Sequence, residues 1–165
     1  NCTLRNSTIG HCGFTAIGNG ALVIENCELY GGNIINFRSD YGSHWDGEAV
    51  IRNVVWHPYC GVQVPAAALF SARNHEDHDF GYPCTMPHRI TLENVTVDDK
   101  NVTGPVWLWN NYNAKVTPEA PSYRGAYPYE TCDEMILKNV RTVSGREIGE
   151  CDNALLHPAK KITRL

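Results

Sequence analysis

No stretch of this 165-residue chain stays apolar for the length of a bilayer-spanning helix, and no signal-peptide pattern opens it. Lysine and arginine never gather into a run or stripe. The 14 of them are interleaved with 18 acidic residues for a net charge of −4, a distribution that argues against nucleic acid as a partner. Seven cysteines contain neither a Cys-x-x-Cys pair nor a metal-ligand spacing, so no zinc-finger-like site or dithiol redox motif is encoded. The odd count, with Cys27 in an apolar column, favours mostly free thiols packing as small hydrophobes. A Cys2–Cys27 bridge stays open, since both lie near successive copies of one corner, at different offsets.

What the sequence does contain is a phrase written five times. An alternating apolar run closes on asparagine, then an apolar residue follows, and a further apolar or small residue two places on. The copies run over residues 4–9, 22–29, 49–56, 90–97 and 135–142, with their asparagines at Asn6, Asn26, Asn53, Asn94 and Asn139. Alternation of this kind predicts half-buried strands. The break at one point of every copy predicts a repeated corner, where asparagine tolerates unusual dihedrals and bonds its own backbone. Repeats of this length are stacked units, none able to bury its apolar face alone.

Intervals of 20 and 27 residues suit single coils, whereas those of 41 and 45 are about twice that size. Strand-like runs at 61–70 and 105–109 stand where further coils would be needed, which makes about seven. The expected fold is therefore all-β: a parallel β-helix, a solenoid with an asparagine ladder along one corner. Stacking predicts aliphatic columns from Leu4, Leu22, Ile24, Ile51, Ile90, Leu92 and Leu137. Cys27, Val54, Val95 and Val140 should turn inward past the bend. Arg5, Glu25, Arg52, Glu93 and Lys138 face outward with signs that alternate from coil to coil, a favourable arrangement on a parallel ladder.

This pattern resembles the right-handed parallel β-helix proteins of the pectate-lyase-like superfamily over nearly the whole chain. For the lyases, the resemblance implies an arginine-centred base on a strand and a carboxylate cluster holding calcium. For the polygalacturonase-like hydrolases, it implies an aspartate trio with Gly-His-Gly and Arg-Ile-Lys signatures. The sequence contains neither signature and no such arginine motif; Asp98-Asp99 alone matches a fragment and reads more simply as the turn after the fourth copy. Residues 1–165 read as a single β-helix domain, the C-terminal part of a longer solenoid or a chain whose open end something else covers. Residues 148–165 look too irregular for a full coil and read as a closing segment. The sequons beginning at Asn1, Asn6, Asn94 and Asn101 include two ladder residues, expected to be buried, and read as incidental.

Three segments offer chemistry. Residues 74–87 place His75, Glu76, Asp77, His78 and Asp79 within five positions, enough for an acid–base pair or a divalent cation such as calcium. The same segment also reads as a solvated loop anchored by Phe80, Tyr82 and Met86. Residues 39–48 carry Trp45 beside His44, Asp46 and Glu48; the ring offers either a platform for pyranose C–H groups or, the more ordinary role, cover for the core. Residues 110–133 hold Tyr112 and Arg124 in a long tyrosine- and proline-rich excursion. With Trp107 and Trp109 they could wall a groove for an extended polysaccharide. The resulting expectation is a secreted or surface-exposed domain that engages a glycan, as a hydrolase or lyase. The alternative is a non-catalytic module such as an adhesin or phage-tail spacer.

Overall fold

Each copy of the phrase becomes one long strand, because its apolar residues at every second position need one covered face. The computed structural model describes residues 2–5, 8–11, 14–16, 20–38, 45, 47–59, 61–73, 86–110, 132–152 and 159–165. It is all-β, with no helix among the described residues, and every strand pairing is parallel, compatible with a β-helix or solenoid.

The long sheet contains β1 (Cys2–Arg5), β4 (Leu22–Gly31), β6 (Glu48–Pro58), β8 (Arg89–Val97), β10 (Cys132–Thr142) and β12 (Ala159–Arg164), stacked in that order. Strand β2 (Thr8–His11) pairs with the second half of β4. The second sheet stacks β3 (Phe14–Ala16), β5 (Ile35–Arg38), β7 (Ala67–Arg73), β9 (Val106–Asn110) and β11 (Ile148–Cys151). The chain alternates between the two sheets, so each turn of chain contributes a rung to both.

The count of about seven coils is not confirmed by this topology: the described long sheet stacks six rungs. Residues 67–70 and 106–109, read as extra coils, are the second-sheet strands of coils that already carry an asparagine copy. The closing segment is also more regular than expected: β12 pairs with β10 from Cys132↔Ala159 to Leu137↔Arg164.

The corner behaves as its chemistry demands. Asn26, Asn53, Asn94 and Asn139 all take left-handed backbone conformations, with φ between 51° and 54°. Among non-glycine residues, asparagine enters that region at least cost. Their side chains form a file in which Asn53 Nδ2 donates to Asn26 Oδ1 (2.9 Å), Asn94 to Asn53 (3.0 Å) and Asn139 to Asn94 (2.9 Å). Donation runs toward the preceding coil. Contrary to the expectation of burial, all four residues are exposed, because the left-handed bend turns the corner outward. Asn101, another sequon residue, donates its amide to the carbonyls of Pro58, Tyr59 and Val62, fastening the turn of the coil below.

Inside, the registered columns are Leu22–Ala49–Ile90–Met135 and Ile24–Ile51–Leu92–Leu137, followed past the bend by Cys27–Val54–Val95–Val140. Against the second sheet, Phe37, Phe70 and Trp109 pack in mutual contact, with centroids 5.2–5.7 Å apart, a separation at which tilted rings attract beyond simple burial. Two of the alternating charge pairs close as ion pairs, Arg52 with Glu25 at 2.5 Å and Lys138 with Glu93 at 2.7 Å, but Glu25, expected to face outward, is buried beneath Arg52. Cys27, Cys132 and Cys151 are buried thiols outside any disulfide, so the Cys2–Cys27 bridge is not formed.

Candidate functional site

His75, Glu76, Asp77, His78 and Asp79 lie outside the described residues, as do Tyr112 and Arg124. The three candidate tryptophans are described, and two of them are core side chains. Trp45 is 5% exposed, donates its indole N–H to the Gly20 carbonyl (2.6 Å) and packs on Phe37. Trp109 is fully buried, its N–H directed at Met135 Sδ (3.1 Å). Neither ring presents a free face to a sugar; both stabilise the interior. Trp107 is half-buried and lies against Gly149 of the next rung, so closely that a Cβ there would sit 2.3 Å from Cζ3.

A different group of residues is assembled by the coils themselves. Strand alternation past the bend points positions two and four beyond each ladder asparagine outward. The second positions form the row Glu28–Val55–Thr96–Arg141. The fourth positions form Tyr30–His57–Asp98, continued by Val143, whose amide bonds the Val97 carbonyl. Spacing of about 4.8 Å between rungs makes each four-residue row about 14 Å long. Val55 and Val143 are 38% and 50% exposed, so apolar and charged groups share this face.

His57 is the centre of the group. Its Nε2 meets Glu28 Oε1 at 2.9 Å, its Nδ1 meets Asp98 Oδ2 at 3.1 Å, and its ring stacks on Tyr30 with centroids 4.2 Å apart and planes 6° from parallel. Both contacts are hydrogen bonds together only when both ring nitrogens carry protons, since each partner is a carboxylate oxygen. The Tyr30 hydroxyl donates to the same Glu28 oxygen at 2.6 Å. That bond first, and the one from His57 second, hold the Glu28 carboxyl below its ordinary value. On the far side, Lys100 Nζ approaches Asp98 Oδ2 at 3.4 Å, while Asp98 Oδ1 is buried without a partner among the described residues. Chemically, this is an imidazole oriented by a carboxylate on one nitrogen and capped by a second, more exposed carboxylate on the other.

The signal for this group was present in the sequence. Aligning the copies on their asparagines puts Tyr30, His57 and Asp98 at one offset and Glu28 at another. Reading each loop by itself missed it.

The neighbouring aspartate has another role. Asp99 accepts bonds from the Ser144 amide (3.0 Å) and hydroxyl (2.5 Å), with Arg146 3.7 Å away. Burial opposes its charge, but these partners outweigh burial and hold its carboxyl below the usual range. Asp99 thus ties the turn after β8 to the turn after β10, in keeping with its reading as a turn residue. Among the described residues, no group of three or more His, Cys, Asp or Glu side chains is placed to hold a metal ion. No helix among them is long and apolar enough to cross a membrane. No family model, curated protein or solved structure matches this chain.

Proposed function

We propose that this chain is a carbohydrate-engaging, right-handed parallel β-helix domain, secreted or displayed at a cell surface, and that the outward rows past the asparagine corner meet the sugar. The right-handed sense follows from how right-twisted strands pack onto their crossovers. The observation that carries the reading is the Glu28–Tyr30–His57–Asp98 group, built from three successive coils on a rigid outer face. Sheet-borne groups hold position better than loop-borne ones. Carboxylates and imidazole accept and donate to sugar hydroxyls, while exposed Val55 and the Tyr30 ring offer apolar surface to pyranose C–H groups. As an enzyme, a hydrolase or lyase, the group would transfer protons through His57 Nε2, with Asp98 fixing the opposite nitrogen. The His75–Asp79 segment remains a further proposed source of acid–base or cation-binding groups.

One observation favours a non-catalytic module, an adhesin or spacer. The polar groups of the row are already bonded to one another, as ladder residues in a purely structural face would be.

The test is a glycan array probed with the wild-type chain and with His57→Ala and Glu28→Gln, together with assays for reducing ends and unsaturated uronates. Selective glycan binding lost in both variants is the expected result. Product release would establish the enzyme, and binding without product the module. Glycan binding that both variants leave intact would remove these rows from the proposal.

A further inference from the structure

Before the asparagine corner, the long sheet presents a second outer face, separate from the rows past the bend. Ala49–Ile90–Met135 and Ile51–Leu92–Leu137 point inward, so the alternate positions of β6, β8 and β10 point outward. The middle row is Val23–Val50–Thr91–Ile136, β-branched at every rung and half-buried throughout. Two residues to one side runs the row Glu48–Arg89–Glu134, and two residues to the other runs Arg52–Glu93–Lys138. Along each row the signs alternate. Arg89 lies 3.6 Å from Glu48 and 3.3 Å from Glu134, and Lys138 lies 2.7 Å from Glu93. Across each rung the signs also oppose: Glu48 with Arg52 on β6, Arg89 with Glu93 on β8, and Glu134 with Lys138 on β10. The face is thus a checkerboard of three acids and three bases around a β-branched seam, with no net charge.

We infer that this face is a homodimer interface, two copies meeting about a two-fold axis that runs along the solenoid, over the β-branched row. The inference is independent of the carbohydrate reading. Rotation about such an axis keeps each rung level with its own mate and exchanges the two charge rows. Glu48 then faces Arg52 of the second copy, Arg89 faces its Glu93, and Glu134 faces its Lys138, each contact occurring twice. Val50, Thr91 and Ile136 meet their own mates on the axis, where β-branched side chains pack as between face-to-face sheets. A polyanion or polycation finds no net field here, and a neutral partner would bury the charges without answering them. The surface that matches this checkerboard sign by sign is the same face turned over. The pairs within one copy are partly exposed and individually worth little, so sharing them with a second copy costs little. With charge rows about 13 Å apart and rungs about 4.8 Å apart, the strip is smaller than the standard interface of about 800 Å² per partner, so the dimer is weak. The charged rungs are inner ones, and further coils at either end would lengthen the face without covering it.

Sedimentation velocity of the whole chain, run from about 10 μM to about 1 mM at low salt, reads the association. A reversible monomer–dimer equilibrium that weakens as salt is raised is expected. Glu134→Lys and Lys138→Glu should each weaken it at least tenfold, because each sets like charges opposite one another twice. An equimolar mixture of the two variants should regain wild-type association, since the altered row of one copy then faces the altered row of the other. A two-fold axis lying along the strands would instead bring Glu134 opposite Arg89, and the mixture would stay monomeric. Recovery in the mixture also shows that both variants fold. Thr91→Lys, which sets two cations against each other on the axis, should abolish the dimer while the circular dichroism stays that of wild type. A chain monomeric across the range, a dimer indifferent to Glu134→Lys and Lys138→Glu, or a mixture that stays monomeric overturns the inference. Should either charge variant fail to fold, Thr91→Lys carries the test, and association that it leaves intact overturns the inference as well.

Discussion

Replacing Asn53 isolates what the corner ladder contributes. Asn53 sits at φ 52°, donates to Asn26 and accepts from Asn94. Alanine at this position loses two exposed hydrogen bonds, each at the low end of about 0.5–1.5 kcal/mol. It must also hold a left-handed conformation that costs an ordinary L-residue about 1–2 kcal/mol. The expected loss is about 2 kcal/mol for Asn53→Ala. Glycine removes the same bonds without the steric penalty, so Asn53→Gly should lose only about 1 kcal/mol despite its greater freedom in the unfolded chain. Urea unfolding followed by circular dichroism and tryptophan fluorescence gives both values, provided the slope with denaturant stays constant. An alanine variant within about 0.5 kcal/mol of wild type, the range of inert surface changes, would refute the assignment. So would a glycine variant as damaged as the alanine one.

Three further outcomes follow from other parts of the structure. Gly149→Ala drives a Cβ into the Trp107 ring at 2.3 Å, so it should cost about 1–3 kcal/mol as overpacking and shift the Trp107 fluorescence; unchanged stability would mean the ring is not seated there. Asp99 has a folded-state pKa below its ordinary 3.8. Its stabilisation is therefore complete above that value and lost as pH falls through the folded value. Thermal midpoints of wild type should drop more steeply than those of Asp99→Asn below about pH 4, and parallel curves would contradict the clamp. Burial pushes the Cys132 thiol up to about 12, so peptide mapping after iodoacetamide at pH 8 should find Cys132 unmodified until urea is added; labelling in the native state would refute its enclosure.

The corner was legible because every coil solves the same local problem. Four described segments enter left-handed space at one point, and asparagine is the polar residue that does so cheaply, so these ladder residues and the columns beside them can be read from spacing alone. Their exposure was not legible, since it depends on the side to which the bend throws the corner. The place of two strands in their coils was not legible for a related reason. Ala67–Phe70 and Val106–Trp109 look like any other apolar strand, and only pairing shows that they belong to the second sheet of coils already counted. Trp45 and Trp109 resemble sugar platforms in isolation, yet Phe37 on the preceding strand packs on Trp45, and Phe37 and Phe70 from other rungs enclose Trp109.

The His57 group has the same origin. His57 meets Glu28 across 29 positions of sequence and Asp98 across 41, separations that local reading treats as unrelated and that stacking makes adjacent. In a solenoid, chemistry is composed by offset from the repeated residue, so neighbours along the chain face different surroundings while equal offsets share one. By that rule the copy ending on Asn6 sets Thr8 and Gly10 beside Glu28 and Tyr30, and the copy ending on Asn139 adds Arg141 and Val143 at the other end of the same rows.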